Sequence, residues 1–196
     1  NGCFERSMNG RALPENSREM AAIIAYIGFL SDAAPADMEG RGAPAIQQME
    51  RAADPARGAV VYSANCAVCH GANGQGLRNT NGEGYSYPPL WGPDSFNTGA
   101  GMHRIITAAN FIRANMPYGV THESPQLTAE QAFDVAAFIN VQPRPERDHL
   151  DRDYPDRTRK PVDAPFPPYA DDFTQEQHTF GPWRPIAAAR DAQSGR

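Results

Sequence analysis

Cys66-Ala67-Val68-Cys69-His70 constrains this chain more than any other stretch. Cys-x-x-Cys-His is the attachment pattern of c-type haem. Two thiols at this spacing can each close a thioether on one vinyl group of a porphyrin. The imidazole that follows then reaches the iron from one side. Three other readings compete. A zinc ribbon needs a second Cys pair, and the only other cysteine is Cys3. A thioredoxin-type dithiol should open a helix within a βαβ unit, and the sequence carries no such pattern. A structural disulfide gives the following His70 no role. Haem is the expectation.

Around that motif the chain reads as all-α. Pro55 suits the first turn of a helix whose Val60, Val61 and Tyr62 lead into the motif. Residues 71–101 are rich in Gly, Asn and Pro and should wrap a ligand as loop. Within them Pro88-Pro89-Leu90 can lay apolar backbone against the haem, and Pro88 or Leu90 can offer a carbonyl to the His70 ring N–H. A helix is expected over Ile105 to Arg113. A second should start at Thr128, with Gln131 completing a capping box and Ala132, Val135, Ala136, Phe138 and Ile139 facing the core.

His70 leaves one axial position open. Met102, Met116, His103 and His122 are the downstream candidates. Met116 fits best, in a loop between two helices and stiffened by Pro117, with the histidines as alternatives. A thioether ligand raises the potential of a haem, which suits a relay.

The N-terminal residues repeat this pattern. Ser17 or Asn16 caps a helix, with Glu19 as expected capping-box partner, and Met20, Ile23, Ile24, Ile27 and Leu30 recur at helical spacing. Laying Tyr26-Ile27 over Phe138-Ile139 puts Cys3 23 residues before Tyr26, against 22 from Met116 to Phe138. Cys3 thus falls at the position of an axial ligand. A buried small hydrophobe or an unpaired thiol remains open for it on spacing alone. If it is a ligand, its own Cys-x-x-Cys-His lies upstream of Asn1, and the chain is the distal part of a two-haem protein.

These readings divide the chain into residues 1–31, the distal part of a first cytochrome c-like domain, and 32–54, a linker. Residues 55–142 form a cytochrome c-like haem domain, and 143–196 a Pro-rich wrapping arm. The arm holds Phe166, Tyr169, Phe173, Phe180 and Trp183, too many anchors for a solvating tail. A net charge of −5 argues against nucleic acid as partner. The longest apolar run, Ala21 to Leu30, is too short to span a bilayer. With neither a leader peptide nor an initiating Met, a mature or truncated chain is expected. Covalent haem attachment occurs outside the bacterial cytoplasm, so a periplasmic location is expected.

Asn1-Gly2-Cys3-Phe4-Glu5-Arg6-Ser7-Met8-Asn9-Gly10 resembles the stretch that carries the cysteine haem ligand of thiosulfate dehydrogenases. These are periplasmic dihaem cytochromes that couple two thiosulfates into tetrathionate. Ala114-Asn115-Met116-Pro117-Tyr118-Gly119 is similar to their second-haem ligand loop. The tail resembles theirs in Asp151-Arg152-Asp153-Tyr154-Pro155, Lys160-Pro161-Val162-Asp163 and Gln177-His178. The resemblance implies one haem c attached in this chain and a second held by a preceding segment. It makes Cys3 the axial thiolate of the active-site haem, Ser7 a residue lining the substrate pocket, and Met116 the ligand of the relay haem. Some members place a ligand-exchanging lysine before that Met. Asn115 stands here, so no such exchange is expected. Arg6 and Arg11 are candidates to offset repulsion between two thiosulfate dianions. Electrons then pass to an external acceptor, another cytochrome or a redox complex. The competing reading is a non-catalytic electron-transfer subunit of a larger redox complex.

Overall fold

A computed structural model describes residues 1–34, 44–193 and 195. Among the described residues most regular elements are helices, beside one short hairpin. Helix α1 spans Arg18–Ala33, α2 Pro55–Asn65, α3 Ala67–His70, α4 Ile105–Asn115 and α5 Ala129–Asn140. Two more, α6 (Gln175–Phe180) and α7 (Arg184–Gln193), lie in the arm. The hairpin pairs β1 (Leu77–Arg78) with β2 (Tyr85–Tyr87). No described helix is long and apolar enough to cross a membrane.

Within residues 55–142, α2 and α4 both pack on α5. Asp54 caps α2, accepting the Ala56 and Arg57 N–H groups, and Pro55 occupies the first turn where its missing N–H costs nothing. Thr128 and Gln131 close the capping box of α5. Phe133, Val135, Ala136 and Ala137 are fully buried. The helices cross closely because Gly58 has no side chain: a Cβ there would lie 1.9 Å from the Asp134 carbonyl oxygen. Asp134, buried beneath that crossing, accepts from both terminal Nη groups of Arg51 at 2.8 Å and from the Asp54 N–H at 2.8 Å.

The stretch expected to be linker, 32–54, is partly something else. Helix α1 continues to Ala33, and residues 35–43 lie outside the described residues. The distal end is core: Met49 and Ala53 are buried, and the Ile46 N–H donates to the Asn110 side chain at 2.7 Å. The Glu19 capping box is also corrected. Ser17 is the cap and accepts the Met20 N–H, which leaves Glu19 one position short of the place a box requires.

The arm is less irregular than its composition implies. Trp183 and Ile186 are fully buried, and Trp183 lies 5.6 Å from Phe133, ring to ring. The Trp183 Nε1–H donates to the His178 carbonyl at 2.8 Å, and the Phe180 carbonyl accepts the Ala53 N–H at 2.8 Å. His178 is fully buried, stacked 3.7 Å from Tyr169 and bonded to Asp171 and to the Val162 carbonyl. Asp163 caps α4 from the arm by accepting the Ile106 N–H at 3.0 Å.

The α1 helix behaves differently from its sequence counterpart α5. Ile24, Tyr26, Ile27 and Phe29 are each more than half exposed, and no residue of α1 is buried. The same periodic pattern is spent on core contacts in α5. In α1 it presents an apolar surface that no described residue of this chain covers.

Candidate haem site and the Cys3 turn

The motif sits where α2 gives way to α3. The Cys66 N–H closes the last turn of α2 on Tyr62, and the His70 N–H returns to the Cys66 carbonyl at 2.9 Å. Burial, and behind it the neighbouring Cys69, pushes the Cys66 thiol up to about 11. A redox dithiol works through a thiolate of lowered pKa, and this thiol is shifted the opposite way.

His70 is buried, and its Nδ1 lies 2.8 Å from the Pro88 carbonyl oxygen. A carbonyl only accepts, so Nδ1 carries a proton, and in the tautomer with Nδ1 protonated the lone pair lies at Nε2. That is the tautomer an iron ligand needs, oriented by the kind of acceptor that metal-bound histidines use. The loop bearing Pro88 reaches this place because of two glycines. A Cβ on Gly76 (φ +71) would lie 2.4 Å from the Tyr87 carbonyl oxygen, and one on Gly74 (φ +62) 2.3 Å from the Trp91 ring. The Leu90 N–H then donates to the Gly74 carbonyl at 2.8 Å, and the Leu90 side chain packs on the core. Behind the motif, Tyr62, Trp91 and Phe138 form a ring cluster with centroids 5.0–5.7 Å apart. The donor set, its spacing and the His70 tautomer fit a covalently attached haem c.

Met116 directly follows α4. Its N–H closes the helix on Ile112 at 2.8 Å, its backbone is extended, and its side chain packs partly against the core. The amide of Asn115 donates back to the Phe111 carbonyl at 2.9 Å, so it is occupied by its own helix. The histidine alternatives lie elsewhere. His122 is near Glu123 on the surface. His103 faces a cavity of about 260 Å³ shared with Arg147, Leu150 and Phe166, and its Nδ1 donates to the Thr98 carbonyl at 3.0 Å. Burial, with the nearby charge of Arg144, lowers His103 to about 4.

That shift has a testable consequence. The unfolded imidazole takes up a proton near pH 6.5 and the folded one only near 4, so between those values the unfolded state binds more protons. Stability therefore falls as pH drops from 6.5 toward 4. His103→Gln should remove about 2–3 kcal/mol of this loss at pH 4.5. Urea unfolding of both proteins at pH 7 and 4.5 checks it, and equal losses in parent and variant would show that His103 is not the source.

Cys3 and Ser7 stand at the two ends of one π-helical turn, Cys3–Ser7, and both are exposed. Their turn meets residues 97–99 through Glu5, Arg6 and Asn9. Arg6 is not a free cation awaiting substrate. Its Nη1 and Nη2 bind the two Asp153 oxygens at 2.5 and 2.7 Å, and Nη1 also reaches the Gly99 carbonyl at 3.0 Å. The pair holds Asp153 below the usual carboxylate range. Arg11 is exposed. Sequence reasoning missed Asn97, whose side chain is nearly fully buried in this contact. An asparagine in an Asn- and Gly-rich loop carries no signal that would single it out.

A cytochrome c family model matches residues 55–142. The thiosulfate dehydrogenase of Allochromatium vinosum is 46% identical over 145 residues, 73% of this chain and 52% of that protein. That of Thiomonas intermedia is 46% identical over 147 residues, 74% of this chain and 45% of the relative. Among solved structures, the as-isolated thiosulfate dehydrogenase (TsdBA) from Marichromatium purpuratum superposes with a TM-score of 0.67 at 44% identity, covering 77% of this chain and 33% of that one. The chain spans about half the length of the curated relatives it matches. Residues 55–142 thus match the cytochrome c family, and the identity to thiosulfate dehydrogenases extends well beyond that segment, over most of this chain.

Proposed function

We propose that the chain is the distal part of a periplasmic dihaem enzyme that oxidises thiosulfate to tetrathionate. Two thiosulfate dianions join through a new S–S bond and release two electrons, and the reaction is reversible in principle. Cys66 and Cys69 would hold one haem c through thioethers, and His70 Nε2 and the Met116 sulfur would be the side chains that ligate its iron. Cys3 would provide a thiolate ligand to a second haem, and Ser7 would line the pocket that takes thiosulfate. A haem, when bound, takes and passes on one electron at a time. Pro88 fixes the His70 tautomer, and the core behind Met116 holds its sulfur in place. Electrons leave to an external cytochrome or redox complex.

One observation carries this reading. The match to proteins named thiosulfate dehydrogenase runs over 145 residues, more than the segment 55–142 can hold, so it includes residues outside the haem domain. The exposed apolar surface of α1 supports it as well, because a cytochrome-like domain would cover that surface with an earlier segment.

The test is to mix ferric, haem-loaded full-length protein with thiosulfate without oxygen and follow haem reduction and product together. Reduction with one tetrathionate formed per two thiosulfates is expected. A haem that ascorbate reduces and thiosulfate does not would favour the electron-transfer subunit instead.

A further inference from the structure

The turn that carries Cys3 is held from outside its own unit. Within residues 1–10 the hydrogen bonds are short-range: Met8 N–H to the Cys3 carbonyl at 3.0 Å and Gly10 N–H to the Phe4 carbonyl at 2.7 Å. Wide turns of this kind are rare and cluster at functional sites. The long-range bonds of residues 3–10, among the described residues, run to the haem domain and the arm. The Asn97 N–H donates to the Arg6 carbonyl at 3.1 Å, and the Asn97 amide donates to the Glu5 carbonyl at 2.7 Å and to the Asn9 side chain at 3.0 Å. The remaining Asn97 oxygen accepts the Gly99 N–H at 3.1 Å, so the whole amide is committed. Asp153 completes the clamp through its two-pronged pair with Arg6.

Each part of this clamp suits orientation more than general adhesion. A fork-to-fork guanidinium–carboxylate pair fixes direction as well as distance. Asn97 grips the backbone on both sides of Arg6, so the turn cannot rotate without breaking two or more bonds at once. A side chain on Gly99 would meet Arg147 at 2.6 Å and crowd Arg6 at 3.2 Å, which keeps the seat shallow. Cys3 itself is exposed and makes none of these contacts. Its direction is set by the clamp.

We propose that Asn97 and Asp153 are positioning residues for the Cys3 turn, so that the second domain and its arm fix how the thiol of the N-terminal unit is presented. This rests on the reading of Cys3 as an iron ligand. Its consequence is that one electron carrier has its axial ligand anchored in the unit that holds the other. Relative motion of the two units would then disturb ligation, and a seated clamp keeps the path between them constant.

The experiment uses haem-loaded full-length protein and the variants Asn97→Ala and Asp153→Asn, with Asp153→Glu as the conservative control. Low-temperature electron paramagnetic resonance reads the thiolate-bound ferric haem, and near-infrared absorption reads the His/Met haem. The thiolate signal should split into a mixture of species in both variants, with the near-infrared band unchanged and partial recovery in Asp153→Glu. Thiosulfate oxidation should fall roughly tenfold to a hundredfold, the cost of a small misplacement at a reacting centre. An unchanged thiolate signal in both variants overturns the proposal and leaves the function standing. Loss of both signals in both variants assigns these residues to folding alone and also overturns it. A parent protein with no thiolate signal removes the ligation reading and this proposal together.

Discussion

Replacing Met116 with Leu should abolish the weak near-infrared absorption of a ferric His/Met haem while the haem stays covalently attached. Leu matches Met closely in volume, and such swaps in packed surroundings cost less than about 1.5 kcal/mol. The backbone has no reason to move, because the Met116 N–H closes α4 on the Ile112 carbonyl whatever side chain it carries. Attachment depends on Cys66 and Cys69, which the change does not touch. The spectral loss therefore reports the ligand and not the fold, and the potential of this haem should fall with the loss of its thioether. A band that was never present, or that survives in the variant, would remove Met116 as ligand. His103 would not inherit the role, since it is turned toward Thr98 and a cavity lined largely by the arm.

What the sequence made legible was chemistry with fixed spacing. Cys-x-x-Cys-His needs both thiols and the imidazole within about one helical turn, and the backbone builds that turn as α3, Ala67–His70. The Pro88 acceptor was legible because a metal-bound histidine needs one and the Pro-Pro segment was the stiff apolar backbone within reach. Thr128 and Gln131 were legible because a capping box is a local device, satisfied within four residues. The box expected at Glu19 failed on the same locality. Choosing Ser17 over Asn16 as cap moves the required position to Met20, and no tertiary contact corrects the choice.

Long-range seats were not legible. Met49 and Ala53 are core only because α5 and the arm close over them, and single apolar residues in a polar stretch do not announce that. The arm's anchors could be named from composition, but α6 and α7 could not. They are short, and each is held by individual residues such as Trp183, Ile186 and the buried His178 rather than by a continuous apolar stripe. Arg6 shows the same limit on the functional side. An arginine beside a candidate ligand suggests anion binding, and only the fold brings Asp153, far along the chain, to take its charge.

Cys3→Gly should separate catalyst from relay. The side chain is exposed and its backbone carbonyl, not its sulfur, accepts the Met8 N–H, so the turn keeps that bond in the variant. Neither haem should be lost, since Cys3 belongs to no attachment motif. In the intact protein its sulfur should lie within about 2.5 Å of an iron other than the one His70 holds, given metal–thiolate distances near 2.3 Å. An anionic sulfur donates more charge to iron than a thioether, so a haem bound by Cys3 would sit at the lower potential and pass electrons to one bound by Met116. Changes one shell outside a metal ligand already cost about 10–100-fold. Removing the ligand should cost at least as much, so thiosulfate oxidation should fall by a hundredfold or more. Reduction of the His70 haem by a small chemical donor should continue at the parent rate, because its own ligands are intact. The two rates measured side by side decide the matter. If the variant oxidises thiosulfate as fast as the parent, Cys3 has no part in catalysis, and the chain is better understood as a carrier of electrons produced elsewhere.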